Sequence, residues 1–85
     1  MAYSILFAPA ANRQFRKLTL QVQKRLKPHI DALADNPRPS GVVKLKGPEE
    51  LYRIRVGDYR IIYEIKDIGL IILVVKIGDR RDVYK

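Results

Sequence analysis

From Leu51 to Ile65 the chain reads Leu-Tyr-Arg-Ile-Arg-Val-Gly-Asp-Tyr-Arg-Ile-Ile-Tyr-Glu-Ile, and no other stretch leaves it fewer ways to fold. Tyr52, Ile54 and Val56 alternate with Arg53 and Arg55, the period of a strand with one face buried. Gly57-Asp58 then supplies a two-residue turn that permits positive φ. A turn of that length sets the register of the hairpin. Val56 falls opposite Tyr59, Arg55 opposite Arg60, Ile54 opposite Ile61 and Tyr52 opposite Tyr63. One face is apolar throughout, and the other gathers Arg53, Arg55 and Arg60. Like charges facing each other across a sheet cost about 0.2–1 kcal/mol per pair. A purely structural role leaves that cost unexplained, whereas an anionic ligand accounts for it.

The neighbouring segments extend the pattern. Val42–Lys46 alternates again, and a four-residue turn over Gly47–Glu50 predicts Lys44 opposite Arg53 and Leu45 opposite Tyr52. Leu70–Ile77 is apolar on both faces, as expected of a strand central in the sheet. A three-residue loop, Asp67-Ile-Gly69, predicts Tyr63 opposite Leu73, Ile61 opposite Val75 and Arg60 opposite Lys76, and keeps Lys76 out of the core. On these registers Lys44, Lys46, Arg53, Arg55, Arg60 and Lys76 share one side of the sheet with Leu51, Ile62, Ile72 and Val74. Val43, Leu45, Tyr52, Ile54, Ile61, Tyr63 and Val75 are assigned to the core.

Before the sheet, Tyr3–Phe7 reads as a first strand with Tyr3, Ile5 and Phe7 on one side. Pro9 suits the first turn of a helix. Ala11, Phe15, Leu18, Val22, Leu26, Ile30 and Leu33 then recur at spacings of three and four, one apolar helical stripe. Lys17-Leu18-Thr19 breaks it, with Thr19 as N-cap, so the stripe belongs to a helical hairpin. Pro28 inside the second helix must kink or locally open its hydrogen bonds. Asn36–Gly41 is the clearest loop. The expected fold class is α+β: an N-terminal strand, a helical hairpin, then a twisted antiparallel sheet of about four strands, in the order β-α-α-β-β-β-β. Residues 1–85 suffice for one modest core, hence a single domain.

Charge narrows the partners. Seventeen Lys and Arg stand against nine acids, a net charge of +8, which favours polyanions. The absence of cysteine excludes a disulfide scaffold, thiolate metal sites and a thiol nucleophile. His29, the single histidine, has no second ligand at metal spacing and no visible partner for acid–base work. Neither a metal nor a cofactor is expected. The short apolar runs point to a soluble, cytoplasmic protein without signal peptide or membrane partner.

The chain ends Gly78-Asp-Arg-Arg-Asp-Val-Tyr84-Lys85, which adds Arg80, Arg81 and an aromatic ring to the cationic set. Basic groups hold phosphates, and a ring or an arginine plane stacks on a splayed base. A solvated outer face is the plainer alternative, and Tyr84 packing at the terminus is the plainer account of that ring. RNA is cut without metal when its own 2′-hydroxyl is aligned on the adjacent phosphate. Arginine suits the phosphate clamp but not the base. A tyrosine among cations is a candidate for base or stacking group.

These residues resemble those of the RelE family of toxins from type II toxin–antitoxin systems. The resemblance lies in Lys44-Leu-Lys-Gly47, Leu51-Tyr-Arg-Ile-Arg55, Gly57-Asp-Tyr-Arg-Ile-Ile-Tyr63 and Gly78-Asp-Arg-Arg-Asp-Val-Tyr84, in that order along nearly the whole chain. It implies a helical hairpin on a twisted antiparallel sheet, and a metal-independent, ribosome-dependent endoribonuclease that cuts messenger RNA in the decoding site. By motif position it places Arg53, Arg55, Arg60, Arg80 and Tyr84 in the active cluster, with Lys44, Lys46, Lys76 and Arg81 as RNA-binding residues. The implied partners are the ribosome, its messenger and an acidic RelB-like antitoxin, with operator DNA reached only through the antitoxin complex. Well-known members carry lysines where this chain has Arg53 and Arg55. Two other readings stay open: the ParE-like branch of the superfamily, which poisons DNA gyrase, and a non-catalytic RNA-binding module.

Overall fold

A computed structural model of the chain describes residues 2–79. Seven elements follow in order: β1 (Ser4–Phe7), α1 (Pro9–Lys17), α2 (Leu20–Ala32), β2 (Val43–Lys44), β3 (Leu51–Val56), β4 (Tyr59–Lys66) and β5 (Ile71–Asp79). The five strands form one sheet in the order β1-β5-β4-β3-β2. β1 joins β5 in parallel, and the other pairings are antiparallel. The parallel pair joins the two ends of the fold, with the helical hairpin and the three strands β2, β3 and β4 lying between its partners along the chain.

The helices start and stop where local chemistry dictates. Pro9 sits in the first turn of α1. Thr19 caps α2, its hydroxyl accepting from the Val22 N–H at 3.2 Å, so the break between the helices carries its own hydrogen bond. The apolar stripe faces the sheet: Ala11, Leu26, Ile30 and Leu33 are buried against Tyr52, Ile54, Ile61, Tyr63, Ile72 and Val74. Phe15, Leu18 and Val22 pack at its margin, together with Tyr3, Ile5 and Phe7 of the first strand segment. α2 runs on through Pro28 as one helix.

The β3–β4 hairpin has the register expected of Gly57-Asp58, with Val56 opposite Tyr59, Arg55 opposite Arg60 and Tyr52 opposite Tyr63. Gly57 is at φ +60, a conformation that favours glycine, and the Arg25 guanidinium lies over it.

The two flanking registers differ from expectation. β2 is offset by one residue: Val43 lies opposite Arg53 and Lys44 opposite Tyr52. The connection from Lys46 to Glu50 therefore has five residues rather than four, closed by the Leu45 N–H donating to the Leu51 carbonyl at 2.9 Å. A two-residue edge strand is too short for side-chain burial to fix its register. The β4–β5 loop has four residues, Asp67–Leu70, because Leu70 adopts the left-handed conformation at φ +53. Tyr63 consequently faces Val74 rather than Leu73. A bulge at Val75 then realigns the strands, placing Ile62 opposite Lys76 and Ile61 opposite Ile77. Ile72, Val74 and Ile77 thus all reach the core, while Lys76 still points away from it. Val43 is exposed, and Leu45 and Val75 are half-buried instead of central. Beside the bulge the Ile77 N–H donates to Gln14 Oε1 at 2.8 Å, which pins α1 to β5.

Candidate functional site

The face of the sheet turned away from the helices is graded from one end to the other. Cross-strand partners share a face, so the register can be read as rows. Nearest the Gly57 turn, Arg55 faces Arg60, and Arg60 faces Gly78, which brings no side chain. The next row runs Val43, Arg53, Ile62, Lys76. Ile62 therefore separates Arg53 from Lys76, two strands or about 10 Å apart at ordinary interstrand spacing. Beyond it Leu51, Glu64, Leu73 and Leu6 form an apolar row with one acid.

Four of the expected site residues are thus brought together: Arg53, Arg55, Arg60 and Lys76. Lys76 reaches the set through Ile62 and not, as expected, through a position opposite Arg60. Arg60 is only 6% exposed, whereas Arg55 is exposed and Arg53 half-buried. A guanidinium held in a shielded place acts through a lower effective dielectric than one in water. It also offers the planar fork that matches phosphate oxygens two at a time.

Lys44 and Lys46 leave the cluster. The offset of β2 turns Lys44 to the helix side of the sheet, where its Nζ donates to Glu50 Oε1 at 3.3 Å. Lys46 is an exposed residue of the following loop. Arg80, Arg81 and Tyr84 lie outside the described residues. Among the described residues no group of His, Asp and Glu is placed to hold a metal ion.

The opposite end of the sheet carries a polar clasp that sequence reading missed. Arg38 donates to the Tyr52 hydroxyl at 3.3 Å and to Asp67 Oδ2 at 3.2 Å, and its guanidinium lies 5.3 Å from the centre of the Tyr52 ring. The Tyr3 hydroxyl donates to the other Asp67 oxygen at 2.5 Å. Tyr52 donates onward to Glu50 at 3.0 Å. The hydrogen bond from Tyr3, aided by Arg38, holds the Asp67 carboxyl below its ordinary range. The bond from Tyr52, aided by Lys44, does the same for Glu50. Tyr63, stacked 6.0 Å from Tyr52, donates to the Pro37 carbonyl at 2.6 Å, and burial pushes its hydroxyl up to about 12. Only the tertiary fold joins groups this distant in sequence; the lone local signal was Arg38 inside a Pro-rich loop.

A second feature adjoins the cationic end. β2 covers β3 only at Tyr52 and Arg53, so from Ile54 onward that edge has no neighbouring strand among the described residues. Here His29 of α2, Leu33 at its C-terminal cap, Asn36 and Pro39 of the loop, and Ile54 and Arg55 of β3 line a groove of about 540 Å³. Arg25, one helical turn before His29, spreads its guanidinium over Gly57 at the same end. The i, i+4 spacing of Arg25 and His29 was the available sequence signal for a basic strip on α2.

Comparison with known proteins bears on these residues. The family model described as the ParE toxin of the type II toxin–antitoxin system parDE matches residues 5–84. A RelE-like toxin protein of Escherichia coli is 35% identical, with 99% of this chain and 92% of that protein covered. The mRNA interferase toxin RelE of Escherichia coli (strain K12) is 31% identical over the same shares, 99% and 92%. Among solved structures, the archaeal RelE–RelB complex from Pyrococcus horikoshii OT3 superposes with a TM-score of 0.83 at 29% identity, covering 96% of this chain and 99% of that one. The isolated E. coli RelE toxin gives 0.82 at 30% identity, with 98% and 92% covered.

Proposed function

Because the chain belongs to the RelE family of type II toxins, we propose that it is a toxin that cuts messenger RNA on the ribosome. The observation that carries this reading is the convergence of Arg53, Arg55, Arg60 and Lys76 at one end of a sheet face whose far row is apolar but for Glu64. A phosphodiester passing through a phosphorane gains charge on its non-bridging oxygens, and preformed cations stabilise that charge more than the ground state.

In the proposed reaction the ribose 2′-oxygen attacks the adjacent phosphorus. The new O2′–P bond forms as the P–O5′ bond breaks, leaving a 2′,3′-cyclic phosphate and a 5′-hydroxyl. Arg60 and Arg80 clamp the phosphorane, and Arg53 and Arg55 hold the flanking backbone. Arginine remains protonated at neutral pH, so the 2′-hydroxyl proton goes to another acceptor, and the departing 5′-oxygen takes its proton from water. Tyr84 is the candidate of this chain, as that acceptor or as the ring that stacks on the substrate. Much of the alignment comes from the ribosome, so free RNA of the same sequence is cut poorly. A positive net charge of +8 suits neutralisation by an acidic RelB-like antitoxin laid over the same face.

The match to a ParE model keeps a gyrase poison as the second reading. One experiment separates the two: incubation with programmed ribosomes whose decoding site is open, with messenger ends mapped by primer extension. New ends within the decoding site are expected, and Arg80→Ala removes most of them without changing the fold. Intact messenger together with trapped gyrase–DNA complexes would overturn the nuclease reading.

A further inference from the structure

Apart from Arg55, the residues lining the groove at the open edge of β3 have no part in the reaction proposed above. Its chemistry is nevertheless specific. Its accessible apolar lining comes from Ala32 and Pro39, above the buried Leu33 and Ile54, and its polar lining from His29, Asn36 and Arg55. About 540 Å³ falls within the ~300–1,000 Å³ common for small-molecule sites, enough for a single nucleotide. Arg25, His29 and Arg55 run as a basic rim from the helix side to the arginine face. Within a chain of net charge +8, that continuity selects an anion, and the apolar lining at Ala32 and Pro39 selects one bearing a flat ring.

We infer that this groove holds the nucleotide beside the phosphate clamped by the arginine face, its base against Ala32 and Pro39 and its phosphate between Arg55 and His29. The inference rests on the RNA-cutting reading for its substrate and adds a subsite to it. The backbone of the RNA crosses the β3 edge at Arg55, which serves both surfaces. Among the described residues no strand covers β3 beyond Arg53, and that edge is the path. Because the base meets side chains and not solvent, the groove gives the enzyme a preference at the position flanking the cut.

His29 is the only histidine, so its imidazole gives one unambiguous NMR resonance at the groove. Full-length protein is titrated with uridine or adenosine 5′-monophosphate, and with inorganic phosphate at equal ionic strength. The mononucleotide is expected to move the His29 resonance at roughly tenfold lower concentration than phosphate. Ala32→Trp, which fills the groove from an exposed helix position, abolishes that response; Ser40→Trp fills it from the loop and serves where the first variant fails to fold. A silent resonance, an equal response to phosphate, or a response retained in the filled variants overturns the inference. On programmed ribosomes, messengers that differ only beside the cut are cut by the filled variant in altered ratio, and an unchanged ratio also overturns it. Uncut messenger with a responsive His29 supports the groove while defeating the nuclease reading. Normal cutting with a silent His29 does the reverse.

Discussion

The two ends of the sheet use charge in opposite ways. At the Asp67 turn, cations and acids are matched within hydrogen-bonding distance: Arg38 with Asp67 at 3.2 Å, Lys44 with Glu50 at 3.3 Å and Lys66 with Glu64 at 3.3 Å. At the Gly57 turn, Arg25, Arg53, Arg55, Arg60 and Lys76 gather where the described acids are Asp58 and Asp79. The balanced end ties together segments that are distant in sequence and contributes little field beyond itself. The unbalanced end costs folding energy through like-charge repulsion and offers a positive field to a ligand. The difference teaches that charge number alone does not locate a site; the distribution of the two signs over the sheet does.

Variants at the two ends should therefore fail differently. The largest effect is expected for Arg60→Lys, which keeps the charge and loses the fork. Cutting on programmed ribosomes should fall by about 10²–10³-fold, as when a preorganised donor is removed from a transition state. An unchanged rate would mean the clamp needs only positive charge. Tyr63→Phe should do the converse, leaving cutting intact and destabilising the fold by about 1–3 kcal/mol, because the Pro37 carbonyl loses its donor. Denaturant unfolding checks it, and an unchanged midpoint would mean that water replaces the hydroxyl.

A smaller contrast lies in salt dependence. Arg55→Ala should lower the slope of log K against log salt for single-stranded RNA by about 0.7, one phosphate contact. Lys66→Ala, at the balanced end, should leave the slope unchanged. Equal slopes for the two variants would erase the distinction between the ends.

The smallest effect is a pH window set by the clasp. Asp67 and Glu50 are held below their ordinary values of 3.8 and 4.5, first by hydrogen bonds from Tyr3 and Tyr52 respectively. A carboxyl depressed in the folded state stabilises it above the unfolded value, and the contribution fades as pH falls through the folded one. Tyr3, raised first by its bond to Asp67, and Tyr63, raised to about 12 by burial, act at the other limit. Their contribution is complete below 10.0 and is lost as pH climbs through the raised values. Thermal midpoints should be level between these limits and fall outside them. Asp67→Asn should flatten the acid limb; an unaltered limb would remove Asp67 from the clasp.

Much of this was legible in residue order. Alternation around Gly57-Asp58 gave the hairpin, its register and the shared face of Arg53, Arg55 and Arg60, because a two-residue turn admits one pairing and alternation admits one inward face. Spacings of three and four gave the helices, and the Thr19 hydroxyl gave the break between them. These determinants act within a few residues along the chain.

The rest was decided by packing. β2 has two residues, so nothing local fixes its register, and Lys44 went to Glu50 instead of joining Arg53. β5 is apolar on both faces, which leaves its register to the bulge at Val75 and to the fit of Ile72, Val74 and Ile77 beneath the helices. The parallel seat of β1, the clasp around Asp67 and the groove between His29 and Arg55 join groups far apart in sequence. The sequence by itself determined that three arginines share one face. Tertiary structure decided which lysines accompany them, because the short edge strand and the doubly apolar strand carry no periodic signal, and their positions follow from what the helices leave to be covered.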